Sequence, residues 1–502
     1  MPPSPATRSS IHLIAIGGTG MAPLACLLQE QGHAVRGSDQ PLYPPMSLLL
    51  EEAGIRPLVG YDPVHLDPTP DLVVVGNACR RDNPEVVEAE RRGVPLLSMP
   101  EALARFFLAG RLPLVVAGTH GKTTTTAMAA WTWTACGAEP GYLVGGVPLD
   151  LGRSFRAGAG RRFIIEGDEY NAAYFDRGPK FLHYRPQTLI LTSVEYDHAD
   201  LYPDPATLLA AYATLIERLP ADGLLVACAE EEGVRRLAER APCRVLLYGL
   251  GAGADVRPLV APVLRPEETV VRVAAPAPGG VAGAGDDALE VRLGVPGLHN
   301  LLNALAVWTA ACCEGLPPLA VASALAGFRG VKRRLEELGR AGGVTVVDDF
   351  AHHPTAVGKT LTAVRQRYPG SRVVVAFEPR SLSAGRRFFH DAYLEAFRGA
   401  DALVLAPIFY AGRLAAEDRL DLPELARRLA AAGVAATAAE TREAVLPALL
   451  GILEPGDVVV TMSSGDFGGL PRRLLAALGA GGDAGRQESD SAAAAKGREP
   501  GL

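Results

Sequence analysis

At 502 residues and 52.7 kDa the chain exceeds what one hydrophobic core spans, so several domains are expected. Lys and Arg number 49 against 56 Asp and Glu, a net charge of −7, which leaves no basic excess to draw the chain onto nucleic acid or anionic lipid. No run of about 18 apolar residues exists to span a bilayer. The segment from Met1 to Ser10 lacks the apolar core of a signal peptide, and the seven cysteines show no C-x-x-C pattern, as in a reduced, cytoplasmic protein.

The first elements are Rossmann-like. Ile11–Ile16 reads as a strand, Gly17-Gly18-Thr19-Gly20 as a tight turn and Met21–Gln31 as an apolar helix. A second strand, Ala34–Gly37, ends at Ser38-Asp39, placing an acid about twenty positions after the glycines. Pro23 stands where a third glycine of the dinucleotide fingerprint would fall, so this turn serves a structural connection as readily as a ligand. Leu72–Val75 is a buried strand leading to Gly76-Asn77. Residues 1–110 are assigned to this first domain.

Residues 111–330 read as a second domain built on Val115-Val-Ala-Gly-Thr-His-Gly-Lys-Thr-Thr-Thr-Thr126. An apolar strand enters a loop in which Gly118 and Gly121 permit a tight turn. A helix then opens on Lys122, Thr123 and Thr124. Backbone N–H groups, a lysine cation and a hydroxyl at a helix N-terminus suit a triphosphate and its Mg2+. The strand Phe163–Ile165 ends in Glu166-Gly-Asp-Glu169, and Leu189–Thr192 ends in Glu195-Tyr-Asp-His198-Ala-Asp200. Acids at two strand ends downstream of a P-loop are what a divalent-metal phosphate site requires. Pro205–Arg218 is an amphipathic helix, and Glu267–Leu293 reads as a hairpin around a Gly/Ala/Pro-rich loop. In Gly297-Leu-His-Asn-Leu-Leu-Asn303, His299, Asn300 and Asn303 cap a helix or read an adenine edge.

Lys332-Arg333-Arg334 suits either a domain junction with phosphates or a solvated patch. Residues 331–478 read as a third α/β domain whose strands end in polar groups: Asp348-Asp349-Phe-Ala-His352-His353-Pro354, Glu378-Pro-Arg380 and Ser463–Gly469. Residues 479–502 are rich in Gly, Ala, Ser and charge, a composition that predicts a disordered tail.

In this order the motifs resemble the Mur ligase family, ATP-dependent enzymes that join amino acids or peptides to UDP-muramyl precursors. The likeness covers residues 11–478. It is carried by G-T-H-G-K-T-T at Gly118–Thr124, E-x-D-E at Glu166–Glu169, D-H at Asp197-His198 and G-x-H-N-x-x-N at Gly297–Asn303. The opening I-G-G-x-G-M at Ile16–Met21, and D-D-F-x-H-H-P at Asp348–Pro354, resemble the branch that extends UDP-N-acetylmuramate. The absence of a lysine between His198 and Leu219 agrees. Within that branch the added group is either L-alanine or the tripeptide L-Ala-γ-D-Glu-meso-diaminopimelate. Gly76–Ala78, Asp168–Asp176 with Lys180–Pro186, Asp349–Thr355 and Glu378–Ser381 resemble the tripeptide-adding, peptidoglycan-recycling type. Gly167, Asn171 and Leu382-Ser-Ala384 depart from the family pattern, the last where the incoming peptide should be read.

The resemblance implies an α/β, three-domain architecture: an N-terminal Rossmann-like domain for the UDP-sugar, a central P-loop ATPase domain and a C-terminal Rossmann-like domain. It implies ATP held by Gly118, Thr119, His120, Gly121, Lys122, Thr123, Thr124, His299, Asn300, Asn303, Arg334 and Asp349. One Mg2+ is expected at Thr123 and Glu166 and a second at His198. The UDP-sugar is expected at Gly18, Thr19, Gly20, Asp39 and Asn77, with Lys122, Glu166, His198, His352 and Arg380 serving the chemistry. Partners are then UDP-N-acetylmuramate and a murein tripeptide, with no nucleic acid or membrane, on a monomer or weak dimer. A nicotinamide oxidoreductase would leave the P-loop without a role, and a non-ligating nucleotide-binding module would leave the third-domain His/Asp/Arg edge unused.

Overall fold

The structure is a computed structural model and describes residues 8–199, 201–276 and 288–480. The first sheet holds β1 (Ser10–Ile14), β2 (Ala34–Asp39), β3 (Leu58–Val59), β4 (Leu72–Val75) and β5 (Leu96–Ser98) in the order β3-β2-β1-β4-β5, all parallel. Both of its faces are covered, which is why Leu72–Val75 is apolar without alternation.

The central sheet contains β6 (Leu112–Ala117), β7 (Gly141–Leu143), β8 (Phe155–Arg156), β9 (Arg162–Gly167), β10 (Thr188–Leu191), β11 (Leu224–Cys228) and β12 (Arg244–Tyr248). Its order is β12-β11-β10-β6-β9-β7-β8, with only β7–β8 antiparallel. The P-loop strand β6 lies in the middle, flanked by β9 and β10, both parallel to it. Strand order reverses at β6, and in open parallel sheets ligands bind beyond the carboxyl ends at such a point. The strand expected over Phe163–Ile165 extends to Gly167, so Glu166 belongs to the sheet itself.

β13 (Val263–Leu264), β14 (Thr269–Ala274) and β15 (Ala288–Leu293) form a small antiparallel sheet. The expected hairpin is thus joined by a third strand, whose two exposed residues give no sequence periodicity. The tip of that hairpin lies outside the described residues, as do Asp200 and residues 481–502 of the expected tail.

The third sheet comprises β16 (Glu336–Ala341), β17 (Val344–Asp349), β18 (Val373–Phe377), β19 (Ala402–Leu405), β20 (Ala435–Ala438) and β21 (Val458–Met462), in the order β16-β17-β21-β18-β19-β20. Only β16 is antiparallel to its neighbour. Val373, Val375 and Phe377 enter one apolar cluster while Val374 and Ala376 enter another, so helices cover both faces. One continuous core joins the first and central sheets, and the third sheet keeps its own two clusters. No helix among the described residues is long and apolar enough to cross a membrane.

Candidate active site

The loop after β6 needs its glycines. Gly118 has φ +132°, and a Cβ there would lie 2.7 Å from Ser193 O and 2.8 Å from Ser193 N. Gly121 has φ +80°, and a Cβ would lie 2.8 Å from Asn303 Oδ1. Both conformations disfavour any side chain. The helix Lys122–Ala135 that follows starts without a side-chain cap, so its first turn presents backbone N–H groups at the loop.

Lys122 Nζ donates to Gly118 O at 2.6 Å and to both Glu169 carboxylate oxygens at 2.9 and 2.8 Å. Burial opposes its charge, but Glu169, Asp168 and Glu166 outweigh that and raise its pKa. An anion therefore already lies on the ammonium, as a phosphate oxygen would. Thr123 Oγ1 donates to Glu166 Oε1 at 3.0 Å, and Glu166 Oε2 accepts from Gly145 N at 2.8 Å. Burial raises the Glu166 pKa. A hydroxyl and a carboxylate side by side are hard oxygen donors of the kind Mg2+ takes. His198, at φ +55°, meets Glu169 Oε1 through Nε2 at 2.9 Å, so it reaches the same cluster through Glu169. Burial lowers its pKa, but Glu169 and Asp197 prevail and the net direction is upward.

Three domains share one cavity of about 600 Å³. Thr19 and Gly20 reach it from the first domain. Thr119 to Thr124, Glu166 and His198 line it from the central domain, and Arg334, His352 and Arg380 from the third. Burial lowers the His352 pKa. Arg380 Nη1 pairs with Asp466 at 3.1 Å, and its guanidinium lies 4.1 Å from the centre of the Phe409 ring. Arg334 Nη2 donates to Thr123 Oγ1 at 3.2 Å, carrying a third-domain cation to the P-loop. Of the basic run, Arg334 thus lies in the site, while Arg333 pairs with Asp348 at 3.2 Å.

A second cavity, of about 140 Å³, adjoins the P-loop and is lined by His120, Gly121, Thr124, His299, Asn300, Asn303, Arg334 and Asp349. The asparagines do not cap the helix Leu298–Cys313, whose N-cap Gly297 lacks a side-chain bond. Instead Asn300 Nδ2 donates to Pro296 O at 2.7 Å and Asn303 Nδ2 to Asn300 Oδ1 at 3.2 Å. Burial pushes His299 down to about 4, leaving it neutral at pH 7. Asp349 accepts from Leu335 N at 2.7 Å and Ala351 N at 2.8 Å, so its carboxylate also fastens the start of the third domain.

Gly18, Asp39 and Asn77 line neither of these two cavities. Asp39 accepts from Gly17 N at 2.8 Å, Gln40 N at 2.7 Å and Tyr61 OH at 3.1 Å. Three further residues hold the site together. Glu169 partners Lys122 and His198. Lys180 pairs with Asp168 at 2.7 Å on the cavity wall. Glu195 Oε2 meets His120 Nε2 at 2.8 Å, while its Oε1 accepts from Thr355 Oγ1 of the third domain at 2.8 Å. The signal for Glu169 and Glu195 was their place at acidic strand ends; Lys180 and Thr355 stood in the stretches that carry the resemblance, but nothing in the sequence pointed to their partners.

A P-loop with its lysine and oxygen donors, opening into a cavity that three α/β domains share, defines a nucleoside-triphosphate-dependent enzyme whose site is assembled from separate domains. Family models agree segment by segment: the Mur ligase family catalytic domain matches residues 10–111, the Mur ligase middle domain 116–311, and the Mur ligase glutamate ligase domain 333–465. The UDP-N-acetylmuramate–L-alanyl-γ-D-glutamyl-meso-2,6-diaminoheptandioate ligase of Escherichia coli is 36% identical over 471 residues, covering 93% of this chain and 98% of that protein. The UDP-N-acetylmuramate–L-alanine ligase of Kineococcus radiotolerans is 40% identical over 472 residues, covering 91% and 93%. The crystal structure of a murein peptide ligase from Psychrobacter arcticus superposes with a TM-score of 0.69 at 31% identity, covering 94% of this chain and 99% of that one. The chain belongs to the Mur ligase family.

Proposed function

We propose that this ATP-dependent ligase joins L-Ala-γ-D-Glu-meso-diaminopimelate to UDP-N-acetylmuramate, a step of peptidoglycan recycling in the cytoplasm. The observation that carries the reading is the three-domain cavity, with Lys122 and Arg334 near the P-loop and Arg380 on the third-domain wall. Its cations suit anionic groups such as phosphates and the carboxylates of an acidic peptide. The likeness to the E. coli ligase over almost its full length supports it. A second reading, L-alanine as the acceptor, is favoured by the 40% identity to the Kineococcus ligase.

In the proposed reaction a carboxylate oxygen of UDP-N-acetylmuramate takes the γ-phosphoryl group of ATP, releasing ADP. The peptide amine then attacks the acyl carbon, phosphate leaves with the C–O bond, and the amine proton is released. All reactants are anionic, so positioning and cations carry the catalysis. Lys122 would hold the β- and γ-phosphates and Arg334 would approach from the third domain. Thr123 and Glu166 would hold one Mg2+ and His198 a second, and these supply neutralisation of phosphate charge when bound. His299, Asn300 and Asn303 would receive adenine and Asp349 the ribose. Gly18, Thr19, Gly20, Asp39 and Asn77 would bind the UDP-sugar, and His352 and Arg380 would face the reacting acyl group and the peptide.

The test is phosphate release from ATP with UDP-N-acetylmuramate plus either the tripeptide or L-alanine. Release with the tripeptide alone is expected. Release with L-alanine alone would move the protein to the first step of stem-peptide synthesis.

A further inference from the structure

The large cavity has three walls, and two are taken if the proposed ligase reading holds, on which this inference rests. The P-loop wall leads into the second cavity and suits ATP, while Thr19 and Gly20 bring the UDP-sugar from the first domain. The peptide is left the third-domain wall, from Arg380 through Leu382 to Tyr410 and Arg413.

The cations of this cavity are not equally available. Lys122 lies on Glu169, Lys180 on Asp168, and Arg380 on Asp466 with Glu378 3.7 Å away. Arg334 is engaged with Thr123. Arg413 has no carboxylate partner among the described residues; its guanidinium lies only against the ring of Tyr410, 5.4 Å from the centroid. Leu382 is apolar, and Ser381 Oγ accepts from Ala384 N at 2.9 Å, so this stretch offers an anion a hydroxyl but no charge.

Arg413 is also held in place. It ends the short turn Ala411–Arg413, with its N–H bonded to Tyr410 O at 2.9 Å. The next residue, Leu414, is buried, and its carbonyl accepts two N–H bonds from Arg419 at 3.1 and 3.0 Å. Leu420 N then bonds to Gly385 O at 2.8 Å, closing the segment onto the loop after Arg380. An unpaired guanidinium carried on a fastened turn is suited to receive a carboxylate.

We propose that Arg413, backed by Tyr410, binds a carboxylate at the far end of the acceptor peptide and so selects an acidic tripeptide over a single amino acid. The tripeptide carries carboxylates beyond its reacting amine end, whereas L-alanine has only the one beside its amine.

The test is steady-state kinetics of Arg413→Lys, Arg413→Ala and Arg413→Glu, varying tripeptide, ATP and UDP-N-acetylmuramate in turn. The tripeptide KM should rise in the order Lys, Ala, Glu, by about 10- to 100-fold for Ala. The KM values for ATP and the UDP-sugar should stay within about twofold, and Arg413 is exposed, so melting temperature should hold. An unmoved tripeptide KM, an effect indifferent to charge, or a parallel rise for all three substrates would overturn the assignment. A wild-type protein that ligates L-alanine and not the tripeptide would instead overturn the functional reading beneath it, a result visible before any variant is made.

Discussion

The first and central domains each begin with a strand, a glycine turn and a helix, yet the two turns end in different chemistry. After β1, Gly17 N is taken by Asp39, and Met21 N and Ala22 N both bond to Gly18 O at 2.9 Å. No glycine from 17 to 20 has positive φ. After β6, Gly118 and Gly121 sit at φ values only glycine tolerates well, and a lysine, a threonine and two carboxylates converge beside the uncapped helix. The first turn bonds Gly18 N back to Ala15 O at 3.3 Å and reaches the cavity through Thr19 and Gly20 alone. The second also gives Thr119 N to Ser193 O and His120 N to Ser193 Oγ, both at 2.9 Å, but it sets Lys122, Thr123 and Glu166 on the cavity wall. A glycine turn is thus a connection until a cation and acids are placed around it.

The largest expected effect follows from that cation. Lys122→Ala should reduce ligation at least about 10³-fold while calorimetric titration still detects UDP-N-acetylmuramate. Loss of sugar binding would mean that the two turns are not separate stations. Next come the glycines. Gly118→Ala places a methyl against the Ser193 backbone at a disallowed φ and should destabilise by about 2–4 kcal/mol in urea unfolding. Gly17→Ala meets chiefly the flexible end of Leu42, which can turn aside, and should cost under about 1 kcal/mol. Equal losses would erase the contrast. Asp39→Asn should raise the KM for the UDP-sugar about tenfold and leave that for ATP alone, sharpening which turn serves which ligand.

Much of this was legible in the sequence because the informative signals are local. Glycines, lysine and hydroxyls of the P-loop lie within a few residues, and the apolar runs of β4, β10 and β18 mark strands covered on both faces. The polar strand ends pointed to one edge of each sheet. Contacts that close the site were not legible, because they join residues far apart: Arg334 to Thr123, Lys122 to Glu169 and Glu195 to Thr355. No periodicity fixes how three domains face one another. The short strand β13 was silent for another reason, since two exposed residues carry no pattern.

The smallest expected effect concerns a join between the P-loop and the third domain. Glu195 ties the P-loop, through His120, to the third-domain helix Pro354–Arg367, whose N-cap is His353 and whose second residue is Thr355. Burial opposes ionisation of Glu195, but the hydrogen bond from His120 and neighbouring His353 prevail and hold it at about 2. His353 itself is pushed by burial to about 4, so at neutral pH it is uncharged and the His120 bond does the holding. A depressed carboxylate pKa stabilises the fold above the unfolded value, 4.5, and that stability fades as pH falls toward 2. The side chain is 39% exposed, so solvent screening limits the effect to about 1 kcal/mol. Glu195→Gln should therefore lower the urea midpoint by the same small amount at pH 8 and pH 5, and by less at pH 3. A gap that widened on acidification would mean that the carboxylate strains this junction rather than fastening it. The third domain would then be held at the P-loop by Arg334 and by the contact of the His120 and His353 rings, whose centroids lie 4.8 Å apart.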